Sequence, residues 1–322
     1  MPIVEGATYR PPIGLSEGHL QTIFPALFRR VALVTPERER IETPDGDFLD
    51  LDWSRGSRGG RLVVISHGLE GDSRNACVQG MAAAFKRAGW DVLAWNLRGC
   101  GCSGETNRLL RSYHSGATDD LATVLEHVPP QYTQIALVGF SLGGNITLKY
   151  LGDAGTAVSP RISAAVTFSV PCDLASSALA LETSANRIYM AHFFGSMRQK
   201  VRVKMGMFPD AVSDKGLDAM RTFREFDGAY TAPMNGFASA DDYWQRASSR
   251  SVLHRIAVPT LLVSAANDPF LPEQCLPKEE AQASNAFYFE NPRSGGHVGF
   301  VSFNATNEYW SETRAVAFVE AV

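Results

Sequence analysis

The chain has 322 residues, 45% hydrophobic and 20% charged, with a formal net charge of −4 from 30 Lys+Arg against 34 Asp+Glu. Length and apolar content suffice for a sizeable core in one large domain, which excludes a disordered chain. A balance so close to neutral excludes polyanion binding by the bulk of the surface, so nucleic acid is not an expected partner.

Taken in chain order, the opening stretch MPIVEGATYRPPIGLSEG carries prolines and charges and no apolar run of the signal-peptide kind. No later run approaches the ~18–20 apolar residues that span a bilayer, so a cytoplasmic location is expected. Residues 40–42 and 48–53 read as two strands joined by TPDGD, whose Asp45-Gly46 is a hairpin signal. Six short apolar runs follow at 61–68, 91–99, 134–141, 162–170, 260–268 and 286–292. They lack clean alternation, as strands covered on both faces of a parallel sheet do. Helical spacing appears at 76–88, where Met81, Ala84, Phe85 and Ala88 share a face, and at 118–128, which opens on Asp119 and Asp120. Further helices are expected at 143–151 and from about 308 to the end. Strands alternating with helices of these lengths imply an α/β doubly wound, mostly parallel sheet flanked by helices. Residues 172–255 break the rhythm, with no strong strand, and are expected to form a helical insertion between two core strands, set over the C-terminal edge of the sheet within a single domain spanning 1–322.

Five cysteines, Cys77, Cys100, Cys102, Cys172 and Cys275, are odd in number and show no paired framework, which fits a reducing compartment. Cys100-Gly101-Cys102 lacks the further ligands of a tetrahedral metal set. Neither metal nor cofactor is expected.

The run IALVGFSLGG carries the chemistry. Gly139-Phe140-Ser141-Leu142-Gly143 fits G-x-S-x-G with a strand before and a helix after. In that setting small residues permit a tight strand-to-helix turn that lifts the serine hydroxyl above the sheet, and the helix start supplies amide donors for an oxyanion. The plain alternative is a serine that only caps a helix. A serine needs a base, and the expected chain order is Ser, then acid, then His. Of His192, His254 and His297, only His297 lies in a glycine-rich loop, RSGGHVGF, after the last strand, so it is the candidate base. Asp268, ending LLVSAAND, is the candidate acid, with Asp173 as its rival and a helix N-cap as the plain reading of either. Backbone N–H groups of Leu142 and of Leu69 in SHGLEG are the candidate oxyanion donors, with His67 anchoring that loop.

Together these residues resemble the α/β-hydrolase superfamily, and within it the YheT-like branch, related to eukaryotic α/β-hydrolase-domain phospholipases and yeast ethanol acyltransferases. The resemblance covers most of the chain through GHLQTIFP, SHGLEGDS, NLRGCG, YHSG, GFSLGGN, FDGAYTAPMNGFASADDYW and GGHVGF. Related sequences usually read RGCSG where this chain has Cys100-Gly101-Cys102 followed by Ser103-Gly104, a small local insertion. The resemblance implies a serine hydrolase acting on acyl esters through Ser141, Asp268 and His297. Alcohol O-acyl transfer uses the same residues, and a non-catalytic ligand-binding protein of the same fold is a further alternative.

If the insertion is a lid, Phe193, Phe194, Met197, Met205, Met207 and Phe208 are candidates for an acyl pocket, or for ordinary packing between helices. Arg198, Lys200, Arg202 and Lys204 form a basic run read as a solvated face, or as a peripheral contact with anionic lipid. A small-molecule acyl ester is the expected partner, with no obligate protein partner.

Overall fold

The computed structural model describes residues 2–32, 36–56, 59–101 and 105–322. Cys102, Ser103 and Gly104 lie outside the described residues. The strands are β1 Glu37–Glu42, β2 Phe48–Ser54, β3 Arg61–Ser66, β4 Asp91–Asn96, β5 Gln134–Phe140, β6 Ile162–Phe168, β7 Thr260–Val263 and β8 Phe287–Glu290. The helices are α1 Gly18–Phe28, α2 Ala76–Arg87, α3 Thr118–His127, α4 Leu142–Ala154, α5 Leu174–Leu181, α6 Arg187–Met207, α7 Phe223–Phe226, α8 Ala232–Met234, α9 Ala240–Ala247, α10 Lys278–Ala283 and α11 Trp310–Ala321.

All eight strands join one sheet in the order β1-β2-β4-β3-β5-β6-β7-β8. The expected hairpin pairs β1 with β2, and β2 meets β4 antiparallel. From β4 to β8 every pairing is parallel. The order reverses at β3, so crossover helices cover both faces. Leu121, Val124, Ile146 and Leu148 from α3 and α4 pack on one face. Val78, Met81, Phe85 and Phe318 from α2 and α11 pack on the other. This two-sided cover is why the middles of β3, β4 and β5 are apolar. Each such buried side chain contributes on the order of 2 kcal/mol of transfer free energy.

The stretch between β6 and β7 holds α5 to α9 and no strand. It carries its own apolar cluster, in which Phe194, Phe223, Phe226 and Trp244 are buried. Phe223 to Met234 forms a continuous turn of helix with a π-helical segment, Asp227–Thr231, in the middle.

Several boundaries differ from the sequence expectation. β7 stops at Val263, well before Asp268. Past it, the Ser264 and Ala266 N–H groups still donate to the Glu290 and Pro292 carbonyls, and Asn267 and Asp268 turn toward the loop bearing His297. The helix α1 is not anticipated by periodicity: its apolar residues lie mostly on an exposed side, and only Gly18 and Gln21 are buried.

Candidate active site

β5 ends at Phe140 and α4 starts at Leu142, so Ser141 is the whole turn between them. Its backbone sits at φ +51° and ψ −118°, a strained region for a residue with a side chain. The surroundings hold it there. Its N–H donates to the Phe168 carbonyl at 2.8 Å, and its carbonyl accepts from the Asn145 N–H at 3.0 Å. Strand and helix then approach so closely that a Cβ on Gly139 would lie 2.6 Å from the Gly144 Cα. Glycine at Gly139 is therefore required by the crossing itself.

The structure brings Ser141, His297 and Asp268 together. His297 Nδ1 lies 3.1 and 3.0 Å from the two Asp268 carboxylate oxygens, and Nε2 lies 2.9 Å from Ser141 Oγ. With the Nδ1 proton directed at the carboxylate, Nε2 is left to accept from the serine hydroxyl. The Asp268 carboxylate is fully buried while the His297 side chain keeps 12% exposure. Asp268 also accepts from the Phe270 N–H at 2.9 Å, and the Phe270 ring packs 4.2 Å from the imidazole centroid.

The loop bearing His297 is held amide by amide. Gly296 N–H donates to Asn267 Oδ1 at 3.1 Å, His297 N–H to Thr22 Oγ1 at 2.9 Å, and Val298 N–H to Ser169 Oγ at 2.9 Å. These acceptors come from the loop after β7, from α1 and from the end of β6. Thr22 and Asn267 were not singled out by motif or spacing. The only sequence signal for Thr22 is its place within GHLQTIFP.

The remaining candidates separate cleanly. Asp173 caps α5, its carboxylate accepting from the Ser176 N–H at 2.9 Å. His192 and His254 are exposed. His67 anchors its loop: Nδ1 lies 2.8 Å from the Gly68 carbonyl, and Nε2 accepts from the Leu97 N–H at 3.1 Å. Burial pushes the His67 imidazole down to about 4, so it stays neutral. Leu142 is the first residue of α4, where an amide has no helical partner. Among the described residues, neither its N–H nor that of Leu69 donates a hydrogen bond. Leu69 lies in a tight turn closed by Gly71 N–H to the Gly68 carbonyl at 3.1 Å.

A cavity of about 460 Å³ opens over Ser141 and His297, with Leu69 and Leu142 in its wall. The helices between β6 and β7 form its other side. Phe193 and Met197 line it, together with Phe226, Tyr230 and Trp244. Of the other apolar candidates, Phe194 is buried within the helical cluster, and Met205 and Phe208 pack against it. Met207 is exposed.

The basic run on α6 is not one solvated face. Lys200 and Lys204, four apart, turn toward the core. Lys200 Nζ reaches Glu70 Oε1 at 2.9 Å, and Lys204 Nζ bonds the carbonyls of Asn107, at 2.9 Å, and Leu109. Arg198 donates to the carbonyls of Leu217 and Met220, and Arg202 pairs with Asp218. Each of the four cations has a partner, and of these pairs Arg202 and Asp218 stay exposed. Among the described residues no helix is long and apolar enough to cross a membrane.

Residues 61–302 match the family described as alpha/beta hydrolase fold. The chain is 36% identical over 317 residues to "Putative esterase YheT" of Escherichia coli (strain K12), covering 96% of this chain and 92% of that protein. It is 28% identical over 305 residues to human "Phospholipase ABHD3", covering 91% and 74% of the two chains. Among solved structures, the Pyrococcus furiosus esterase Pf2001 superposes with a TM-score of 0.58 at 16% identity, over 89% of this chain and 92% of that one. The last is a likeness of fold.

Proposed function

The chain belongs to the α/β-hydrolase-fold family, in its esterase- and lipase-type group, and we propose that it is a serine carboxylic ester hydrolase. One observation carries this reading: the unbroken line from buried Asp268 through His297 to Ser141 Oγ, opening on a largely apolar cavity. His297 Nε2 takes the Ser141 proton as Oγ attacks the ester carbonyl. Asp268 orients the imidazole and stabilises its cationic form. The free amides of Leu69 and Leu142 receive the oxyanion, each such donor being worth ~3–4 kcal/mol in the transition state. Collapse expels the alcohol, which takes its proton from His297, and leaves an acyl ester on Ser141. Water then gives a proton to His297 and attacks that ester. The second tetrahedral intermediate releases the acid and restores the serine hydroxyl.

Residues 172–255 act as the lid of this site. Their cluster is separate from the sheet's two layers, and they supply the apolar wall that meets the acyl chain. A panel of p-nitrophenyl esters from acetate to palmitate, with glycerides and phospholipids, tests the reading on wild type and Ser141→Ala. Activity confined to the wild type, with fluorophosphonate labelling of Ser141, supports it. Wild-type turnover by Ser141→Ala would overturn it. Product analysis with added ethanol separates hydrolysis from transfer, since excess ester over acid, beyond the mole ratio of ethanol to water, marks transfer.

A further inference from the structure

The residue after Leu69 has an unusual setting. Glu70 adopts φ +54°, a left-handed conformation that a non-glycine residue keeps only when its surroundings hold it. Its carboxylate is only 3% exposed. Both of its donors meet at Oε1: Lys200 Nζ at 2.9 Å and the Tyr113 hydroxyl. Burial, then the Glu70 charge, push the Tyr113 phenol well above its ordinary value, so it stays a donor. Lys200 Nζ also lies 3.1 Å from Cys100 Sγ and 4.9 Å from the centre of the Tyr113 ring. Burial pushes the Cys100 thiol up to about 11, so that thiol is neutral and Glu70 is the anion Lys200 faces. Leu69, Glu70, Tyr113 and Lys200 all line the cavity that holds Ser141 and His297.

These contacts join three separate parts of the chain: the turn bearing Leu69, the loop before α3, and helix α6 of the insertion. They also solve an electrostatic problem. A carboxylate next to an oxyanion donor opposes the negative charge that develops on the substrate oxygen, and it does so strongly in a site poor in water. An ammonium on the same carboxylate oxygen cancels that opposition while fixing the turn.

We propose that Lys200 is a positioning residue for the reaction: through Glu70 it holds the Leu69 turn in its oxyanion-binding form and neutralises the charge beside it. Helix α6 of the insertion thereby completes the oxyanion site. The inference rests on the assignment of Ser141 as nucleophile and Leu69 as donor.

The test measures kcat and KM on p-nitrophenyl butyrate for wild type, Lys200→Met, Lys200→Arg, Glu70→Gln and the Lys200→Met/Glu70→Gln double variant, each with a thermal melt. Lys200→Met is expected to lose about 10- to 100-fold in kcat, short of the ~10²–10³ for removing a donor outright, with KM within about twofold. Lys200→Arg recovers most of the loss. The double variant is faster than Lys200→Met, because the uncompensated carboxylate is gone, a non-additivity that contact between the pair requires. If Lys200→Met melts below the assay temperature, Lys200→Gln takes its place in the same cycle. A kcat within about twofold of wild type, or a double variant that merely multiplies the two single losses, overturns the proposal. Ser141→Ala run alongside separates the two levels. If it stays active, the reading of the site falls; if it is dead while Lys200→Met is normal, only the role of Lys200 falls.

Discussion

Gly143→Ala probes the joint on which both proposed oxyanion donors depend. Gly143 follows Leu142 on α4, and its α-carbon faces the end of β3. A Cβ there would lie 2.3 Å from the His67 carbonyl oxygen and 2.5 Å from that of Ser66. Both obstacles are backbone, so no side chain can swing away. Real Cβ atoms essentially never approach within 3.0 Å of such an oxygen, so strand end and helix start must separate by about 0.7 Å or more. His67 leads directly into Gly68 and Leu69, so the two amides move apart by about that amount. Overpacking of this kind costs roughly 1–3 kcal/mol, which lowers Tm by roughly 1.5–4.5 °C in a chain of this size. A misplacement approaching 1 Å in the catalytic constellation costs up to ~10²-fold in kcat. Gly195 on α6 is the control: nothing lies within 4 Å of its Cβ position, so Gly195→Ala gains up to ~1 kcal/mol of helix stability. Differential scanning fluorimetry and kcat on a soluble ester read both variants. A Gly143→Ala protein with the Tm and kcat of wild type would refute the reasoning, because it would mean that the close crossing of β3 and α4 does not exist.

Asp268→Asn is expected to lose roughly 10⁴-fold in kcat by favouring the wrong imidazole tautomer, while Asp173→Asn, at a helix cap, keeps its kcat and changes stability by less than ~1 kcal/mol; a loss of kcat in Asp173→Asn with Asp268→Asn unaffected would reverse the assignment of the acid. Arg29 and Glu312 pair with side chains only 3% and 2% exposed, so Arg29→Met strands a buried carboxylate and costs about 3–5 kcal/mol, and adding Glu312→Gln recovers part of it; urea titration decides, and equal midpoints for single and double variants would show the pair to be immaterial. Burial holds His67 and His114 each down to about 4. From 6.5 to about 4 the unfolded chain therefore binds protons that the native protein refuses, and their contribution, full above 6.5, is lost as pH falls through that window. Burial raises Asp227 to about 6, which works in the opposite direction, since its native carboxyl favours the proton. The net loss of unfolding free energy from pH 7 to pH 5 is roughly 2–3 kcal/mol, and the slope should shrink in His114→Gln; a pH-independent urea midpoint would contradict this.

How far the site could be read in advance follows from how local each constraint is. The parallel sheet showed itself because strands covered on both faces must be apolar along their whole length, a property of consecutive residues. The Ser141 turn showed itself for the same reason: the two-glycine requirement lies within five residues. Asp268 and His297 were reachable through chain order, although 29 residues part them and their contact is tertiary. Asp173 illustrates the limit: it too follows a strand and obeys the chain order, Asp268 is preferred only for standing just before the histidine segment, and the structure shows the Asp173 carboxylate spent on the Ser176 amide.

The supports of the site were not legible in this way. Thr22 meets the His297 amide across 275 residues, and Lys200 meets Glu70 across 130. No spacing rule connects such positions, because a loop of that length can place its ends anywhere. The basic run on α6 held a usable clue all the same. Positions 200 and 204 share one helical face, and 198 and 202 share another, so treating all four as one solvated face ignored the period of the helix that carries them. The face bearing Lys200 and Lys204 is the one turned to the cavity side of the core, where charge is tolerated only against a carboxylate or carbonyl. A lysine recurring at helical spacing on an otherwise apolar face is therefore a prompt to look for a buried acid elsewhere in the chain. Here that acid is Glu70, in SHGLEG, one residue from a proposed oxyanion donor.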